Sequence, residues 1–126
     1  MRHKYNRLLR MNTWDQKKEL IIRNLMTALV KHWQITTTAK RAKILKNETD
    51  KFFARLVRMF DLYKTEADAR REAIRLVKST IFTEEEGKKV VDTLMPGYKE
   101  KGIKSGFVKD YKLGMRVGDN AEKVLV

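Results

Sequence analysis

The side chains in this 126-residue sequence that are able to do chemistry are two histidines, a glutamate triplet and an excess of lysine and arginine. His3 sits among Arg2, Lys4, Arg7 and Arg10, and His32 closes a segment of helical periodicity. No carboxylate pair is coded to flank either imidazole. His32 therefore reads as a helix-terminal group bonding the last carbonyls or a phosphate, and His3 as a phosphate or base contact. Glu84, Glu85 and Glu86 are consecutive, so they point around a helix in different directions, and helix initiation explains them without a metal. Gly102 and Gly106 do not match a Walker or dinucleotide loop. With no cysteine there is no disulfide framework, thiolate zinc site or cysteine nucleophile. Neither an enzyme nor a cofactor, metal or small-molecule substrate is expected. The chemistry that remains is ionic.

Lys and Arg total 29 against 16 Asp and Glu, a formal charge of +13. The excess is not spread evenly. Residues 1–46 carry 12 bases and two acids, Asp15 and Glu19, for a net of +10. Residues 47–97 balance to zero, and residues 98–126 carry a net of +3. A segment at +10 repels itself unless a polyanion neutralises it. The sequence shows neither a clean basic face opposite an apolar one nor a lipidation signal, which sets a membrane surface aside in favour of nucleic acid. No long apolar run and no apolar stretch behind Met1-Arg2-His3-Lys4 occur, so neither a transmembrane span nor a secretory signal is expected.

The elements that must position these bases follow from period and punctuation. Residues 1–12, with Arg2, His3, Lys4, Arg7 and Arg10 around Tyr5, read as an extended basic arm that orders only on a partner. Tyr5 has nothing nearby to bury it and suits base or ribose stacking. Residues 13–126 read as one domain. Its first helix opens at Thr13, which forms a capping box with Gln16, and runs to about His32. Ile21, Ile22, Leu25, Met26, Leu29, Val30 and Trp33 form its apolar face, while Lys17, Arg23, Asn24, Thr27 and Lys31 form an outward stripe. Trp33 divides evenly between core and an exposed stacking surface.

Gln34-Ile35-Thr36-Thr37-Thr38 is β-branched and short, a strand ending in a threonine cap. A second helix spans about Ala39 to Leu62, with Lys40, Arg41, Lys43 and Lys46 in its first turns. Bases there oppose the helix dipole, which makes sense if phosphate sits beside them. A third helix starts at Thr65 and runs to about Lys78. A fourth starts at Thr83 and ends at Pro96-Gly97. Residues 98–105, with Lys99, Lys101 and Lys104, read as a basic loop with no apolar face. Phe107 to Met115, carrying Lys109 and Lys112, is strand-like, and Ala121 to Val126 returns beside it after a turn at Arg116-Val117-Gly118-Asp119-Asn120. The fold class is α+β: a helical layer on a small sheet.

Several stretches in register resemble one family. Met1-Arg2-His3, Arg23-Asn24, Leu29-Val30-Lys31-His32, Ile35-Thr36-Thr37 and Ala42-Lys43 resemble the N-terminal signature of the seventeenth protein of the bacterial large ribosomal subunit. Tyr111 to Ala121 is similar to that family's closing hairpin, with Arg70-Arg71 between. The resemblance implies a mixed three-stranded sheet under about four helices. It also implies a structural protein bound to large-subunit (23S-type) ribosomal RNA near the exit tunnel, beside protein thirty-two of that subunit and other tunnel neighbours, in the cytoplasm. Carried over by position, Arg2, His3, Arg23, Asn24, Lys31, His32, Thr36, Thr37, Lys43, Arg70, Arg71, Lys112 and Arg116 face RNA, although Thr37 is also suited to capping a helix. Lys17-Lys18 replaces the family's His-Arg pair and keeps that contact as point charges. Ser105-Gly106-Phe107-Val108-Lys109 replaces a Gly-Gly-Tyr-Thr-Arg entry, keeping one glycine, the aromatic and a base. A shortened third strand is expected. The competing reading is a helical DNA-binding or nucleoid-associated protein; an RNA-modifying enzyme lacks the acid–base pair or cofactor loop it would need.

Overall fold

A computed structural model describes residues 15–126, with side chains from Lys17 onward. The arm at 1–12 and the Thr13–Gln16 capping box fall outside the described residues. Helix α1 (Asp15–His32) leads into strand β1 (Thr36–Thr38), and helix α2 (Ala39–Leu62) follows at once. Helix α3 (Glu66–Thr80) comes next. The chain then runs through α4 (Glu84–Lys89), a π-helical turn (Val90–Leu94) and α5 (Met95–Lys101) before strands β2 (Tyr111–Met115) and β3 (Glu122–Leu125).

Caps and periodicity explain most of these boundaries. Thr65 accepts a hydrogen bond from the Asp68 amide, as an N-cap should. Leucine, phenylalanine and valine at three- and four-residue spacing give α2 a buried face of Ala42, Leu45, Phe52, Phe53, Leu56 and Val57. It meets Met26, Leu29 and Val30 of α1, Ala73 and Val77 of α3, and Val90, Val91 and Met95 of the last helical run. Gly87 lets α4 approach α3 closely, since a Cβ there would lie 3.2 Å from the Val77 side chain.

The helical layer rests on a three-stranded sheet in the order β1-β3-β2, as the α+β reading expected. The sheet is antiparallel throughout rather than mixed: Thr37 pairs with Val124, and Lys112 with Val124 from the other side. The returning strand takes the centre, so each of its neighbours runs against it. A bulge between Lys112 and Gly114 kinks the edge strand, and Gly114 at φ 104° supplies the backbone it needs.

Three expectations fail after Leu94. Pro96 does not end the fourth helix. It occupies the first turn of α5, where its missing N–H is not needed, and the π turn just before it takes up the change in register. The helix stops instead at Gly102, which adopts φ 67°. Residues 98–105 are therefore not a loop without an apolar face. Tyr98 points inward, its ring centroid 5.8 Å from Phe53 and 4.9 Å from Phe107, and burial pushes its phenol above the ordinary tyrosine range. Phe107 and Val108 pack against the core before the strand begins at Tyr111. Aromatic packing, not sheet pairing, claims the first residues of the expected strand.

Candidate nucleic-acid interface

The N-terminus of α2 is an open cationic point of the described fold. Thr38 caps it without a side-chain hydrogen bond, no acid occupies its first turn, and Lys40 and Arg41 stand there instead. An uncompensated dipole end and free amides favour an anion. Beside it, Thr36, Thr37, Arg41, Arg116 and Lys123 line a shallow hollow of about 290 Å³, with Glu122 also on its wall. Four residues expected to face RNA, drawn from β1, α2 and the β2–β3 turn, thus meet at one place.

The bases continue along α2. Lys40, Lys43, Lys51, Arg55 and Arg58 are all exposed and, with Asn47 between, recur at three- or four-residue steps. At 1.5 Å per residue this stripe is roughly 27 Å long. Lys51, Arg55 and Arg58 were missing from the sequence-derived set because Glu48, Asp50 and Asp61 cancel them in any local count of charge. The spacing was the available signal. Glu48 pairs with Lys51 at 3.6 Å, while Asp50 turns away to accept the Val108 amide at 3.1 Å. Among the described residues, Lys31, Lys40, Arg41, Lys43, Lys104 and Lys109 make no ion pair.

Other expected contacts are engaged inside the protein. Arg23 is half-buried rather than outward: its Nε donates to the Thr80 carbonyl at 3.3 Å and its guanidinium lies 4.0 Å from the Phe82 ring centroid. Thr27 donates to the Arg23 carbonyl and accepts from the Phe82 amide. Both join α1 to the end of α3, because a long cationic side chain beside an exposed phenyl ring gains more by covering it than by standing free. Asn24, Lys17, Lys31 and His32 do face outward, and Lys18 is partly buried. Arg70 binds Asp92 at 2.5 Å, tying α3 to the π turn, and Arg71 lies 3.9 Å from Asp68. Lys112 pairs with Glu122 at 3.6 Å.

Two ion pairs set the posture of the hairpin. Lys46 holds Asp110 at 2.9 Å, and that hydrogen bond depresses the carboxyl and raises the ammonium from their ordinary ranges. Arg116 grips both carboxylate oxygens of Asp119, which also accepts the Ala121 amide. Its pKa falls to about 2 as a result, with the Arg116 bond the larger cause. At the far end of α1, Lys89 donates to the Val30 and Lys31 carbonyls at 2.8 and 3.3 Å, and its ammonium lies 4.0 Å from the Trp33 ring centroid. Trp33 is exposed, which resolves its divided reading away from the core.

Arg2, His3, Lys4, Tyr5, Arg7 and Arg10 lie outside the described residues. Among those described, no group of three His, Cys, Asp or Glu is placed to hold a metal. No described helix is long and apolar enough to cross a membrane. What the assembled residues can do is bind phosphate and hydroxyl groups over a broad face.

Comparison with known proteins gives this surface a context. Residues 21–126 match the family model described as Ribosomal protein L17. The chain is 37% identical over 113 residues to the large ribosomal subunit protein bL17 of Clostridium perfringens, covering 89% of this chain and 88% of that one. It is 36% identical over 112 residues to bL17 of Clostridium acetobutylicum, covering 89% and 87%. With bL17 of Syntrophotalea carbinolica it is 33% identical over 127 aligned positions, all of this chain and 73% of the other.

Proposed function

This chain belongs to the ribosomal protein L17 family, and from that premise we propose that it is a structural constituent of the bacterial large ribosomal subunit, working in the cytoplasm. Members of the family are ribosome components and not enzymes. The observation that carries the reading is the family match over most of the chain. The meeting of Thr36, Thr37, Arg41 and Arg116 at the free N-terminus of α2 supports it.

In this reading the arm (1–12), the outward residues of α1, the α2 stripe and the hairpin neutralise phosphates of several large-subunit ribosomal RNA segments at once and release their counterions. Asn24 and the threonine hydroxyls add 2′-hydroxyl contacts that duplex DNA does not offer. Arg23 and Thr27 serve this surface by holding α1 against α3. Residues 13–126 act as one folded domain. The place of the protein is near the outer end of the exit tunnel, beside protein thirty-two. A three-residue strand hydrogen-bonded to β3 separates α1 from α2, where a helix-turn-helix protein would have a tight turn, and this favours the ribosomal reading over the DNA-binding one.

Sucrose-gradient sedimentation of a lysate containing the tagged chain tests the reading. The protein is expected in the large-subunit and intact-ribosome fractions at moderate salt. Sedimentation as free protein under those conditions overturns it.

A further inference from the structure

Trp33 stands in a backbone conformation that a tryptophan rarely adopts. Its φ is 66°, at the position after α1 where a glycine normally ends a helix, and it is 57% exposed. A bulky ring held in the left-handed region and still turned to solvent contributes little to the core, which leaves it open to a contact outside the fold.

The surroundings supply one. Lys89 covers one face of the indole at 4.0 Å while anchored to the last carbonyls of α1, which holds the ring in place. Trp33 and Tyr111, the latter 58% exposed, both line a cleft of about 370 Å³ together with Leu29, Phe107 and Val126. That volume is at the smaller end of the range for small-molecule sites. The polar residues among those lining it are Gln34, Tyr98, Lys109 and Tyr111, and no acidic residue lines it. Lys31 and His32, both exposed, precede Trp33 directly. Flat aromatic rings, an amide able to bond a base edge, and cations at the mouth match an unstacked nucleotide better than a peptide, whose backbone would need paired donors and acceptors.

We propose that this cleft takes an unpaired nucleobase of the bound RNA, stacked on Trp33 with Tyr111 beside it and its phosphate on Lys109 or Lys31. The proposal rests on the RNA-binding reading above and assigns that reading a base-sized subsite.

The chain has two tryptophans, so a Trp14→Phe background leaves Trp33 as the sole tryptophan, excited selectively over the tyrosines. Full-length protein is titrated with a single-stranded oligoadenylate of roughly ten nucleotides, a length typical of single-strand binding sites, and separately with inorganic polyphosphate. Oligoadenylate is expected to quench Trp33 emission to saturation, whereas polyphosphate binds without quenching. Trp33→Asn, which tolerates the left-handed backbone, is expected to weaken oligoadenylate binding about tenfold and leave polyphosphate binding unchanged. Should that variant fail to fold, Tyr111→Ser, an exposed change, is expected to lower oligoadenylate affinity in the same selective way. Unchanged oligoadenylate affinity in the folded variants, or equal quenching by both polyanions, overturns the proposal. So does loss of a protein neighbour from pull-downs with oligoadenylate affinity intact, which would make the cleft a peptide site. If neither polyanion binds the parent chain, the RNA-binding reading itself falls.

Discussion

Asp119 is where pH reaches this surface. Its carboxyl sits at about 2, against an ordinary value near 3.9, because the Arg116 guanidinium and the Ala121 amide bond the ionised form. A carboxylate depressed on folding stabilises the protein above its unfolded value, and that stabilisation is lost as pH falls through the folded one. The β2–β3 turn is therefore expected to loosen between about pH 4 and pH 2, and amide exchange at Ala121 checks it. Asp119→Asn should remove that dependence. Single residues also mark where sequence reasoning reaches its limit. Arg23 and Arg41 look alike in the sequence, yet one lies on Phe82 and the other stands free at α2. Only the fold brings residue 82 to residue 23, so no local pattern separates them. Trp33 can be placed at a helix end from its spacing, but neither its positive φ nor its exposure is coded by any local pattern.

Elements were more legible than their partners. The bounds of α2 follow from Thr38, the β-branched run before it and its apolar period, and the structure reproduces them at Ala39 and Leu62. Proline is the strongest local stop signal, and at Pro96 it misleads because a π turn precedes it. The true stop, Gly102, is left-handed with open space around a would-be Cβ. Gly102→Ala is therefore expected to cost about 1 kcal/mol through backbone strain alone, measured by urea unfolding, with large-subunit association unchanged. The far half of the α2 stripe is hidden for a different reason: acids cancel Lys51, Arg55 and Arg58 along the chain, and these bases add up only around a helix.

At the scale of the molecule, a net +13 acts in opposite directions on folding and on binding. Screening relieves self-repulsion in the free protein, so its melting temperature is expected to rise between 50 and 200 mM salt. Over that range its affinity for large-subunit RNA should fall on the order of a thousandfold or more if six or more phosphates are contacted. Calorimetry and filter binding read the two responses on one preparation, and a salt-insensitive complex would contradict a phosphate-centred interface. The sheet adds a constraint of timing. Thr36 is paired with Leu125, 89 residues further along the chain, a contact of high sequence separation that closes slowly. Synthesis runs from the N-terminus, so α1, α2 and α3 all emerge before β3 exists to sit between β1 and β2. The hollow shared by Thr36, Arg41 and Arg116 is thus among the last parts of the nascent protein to form, and the open end of α2 can meet a phosphate before the hairpin closes beside it.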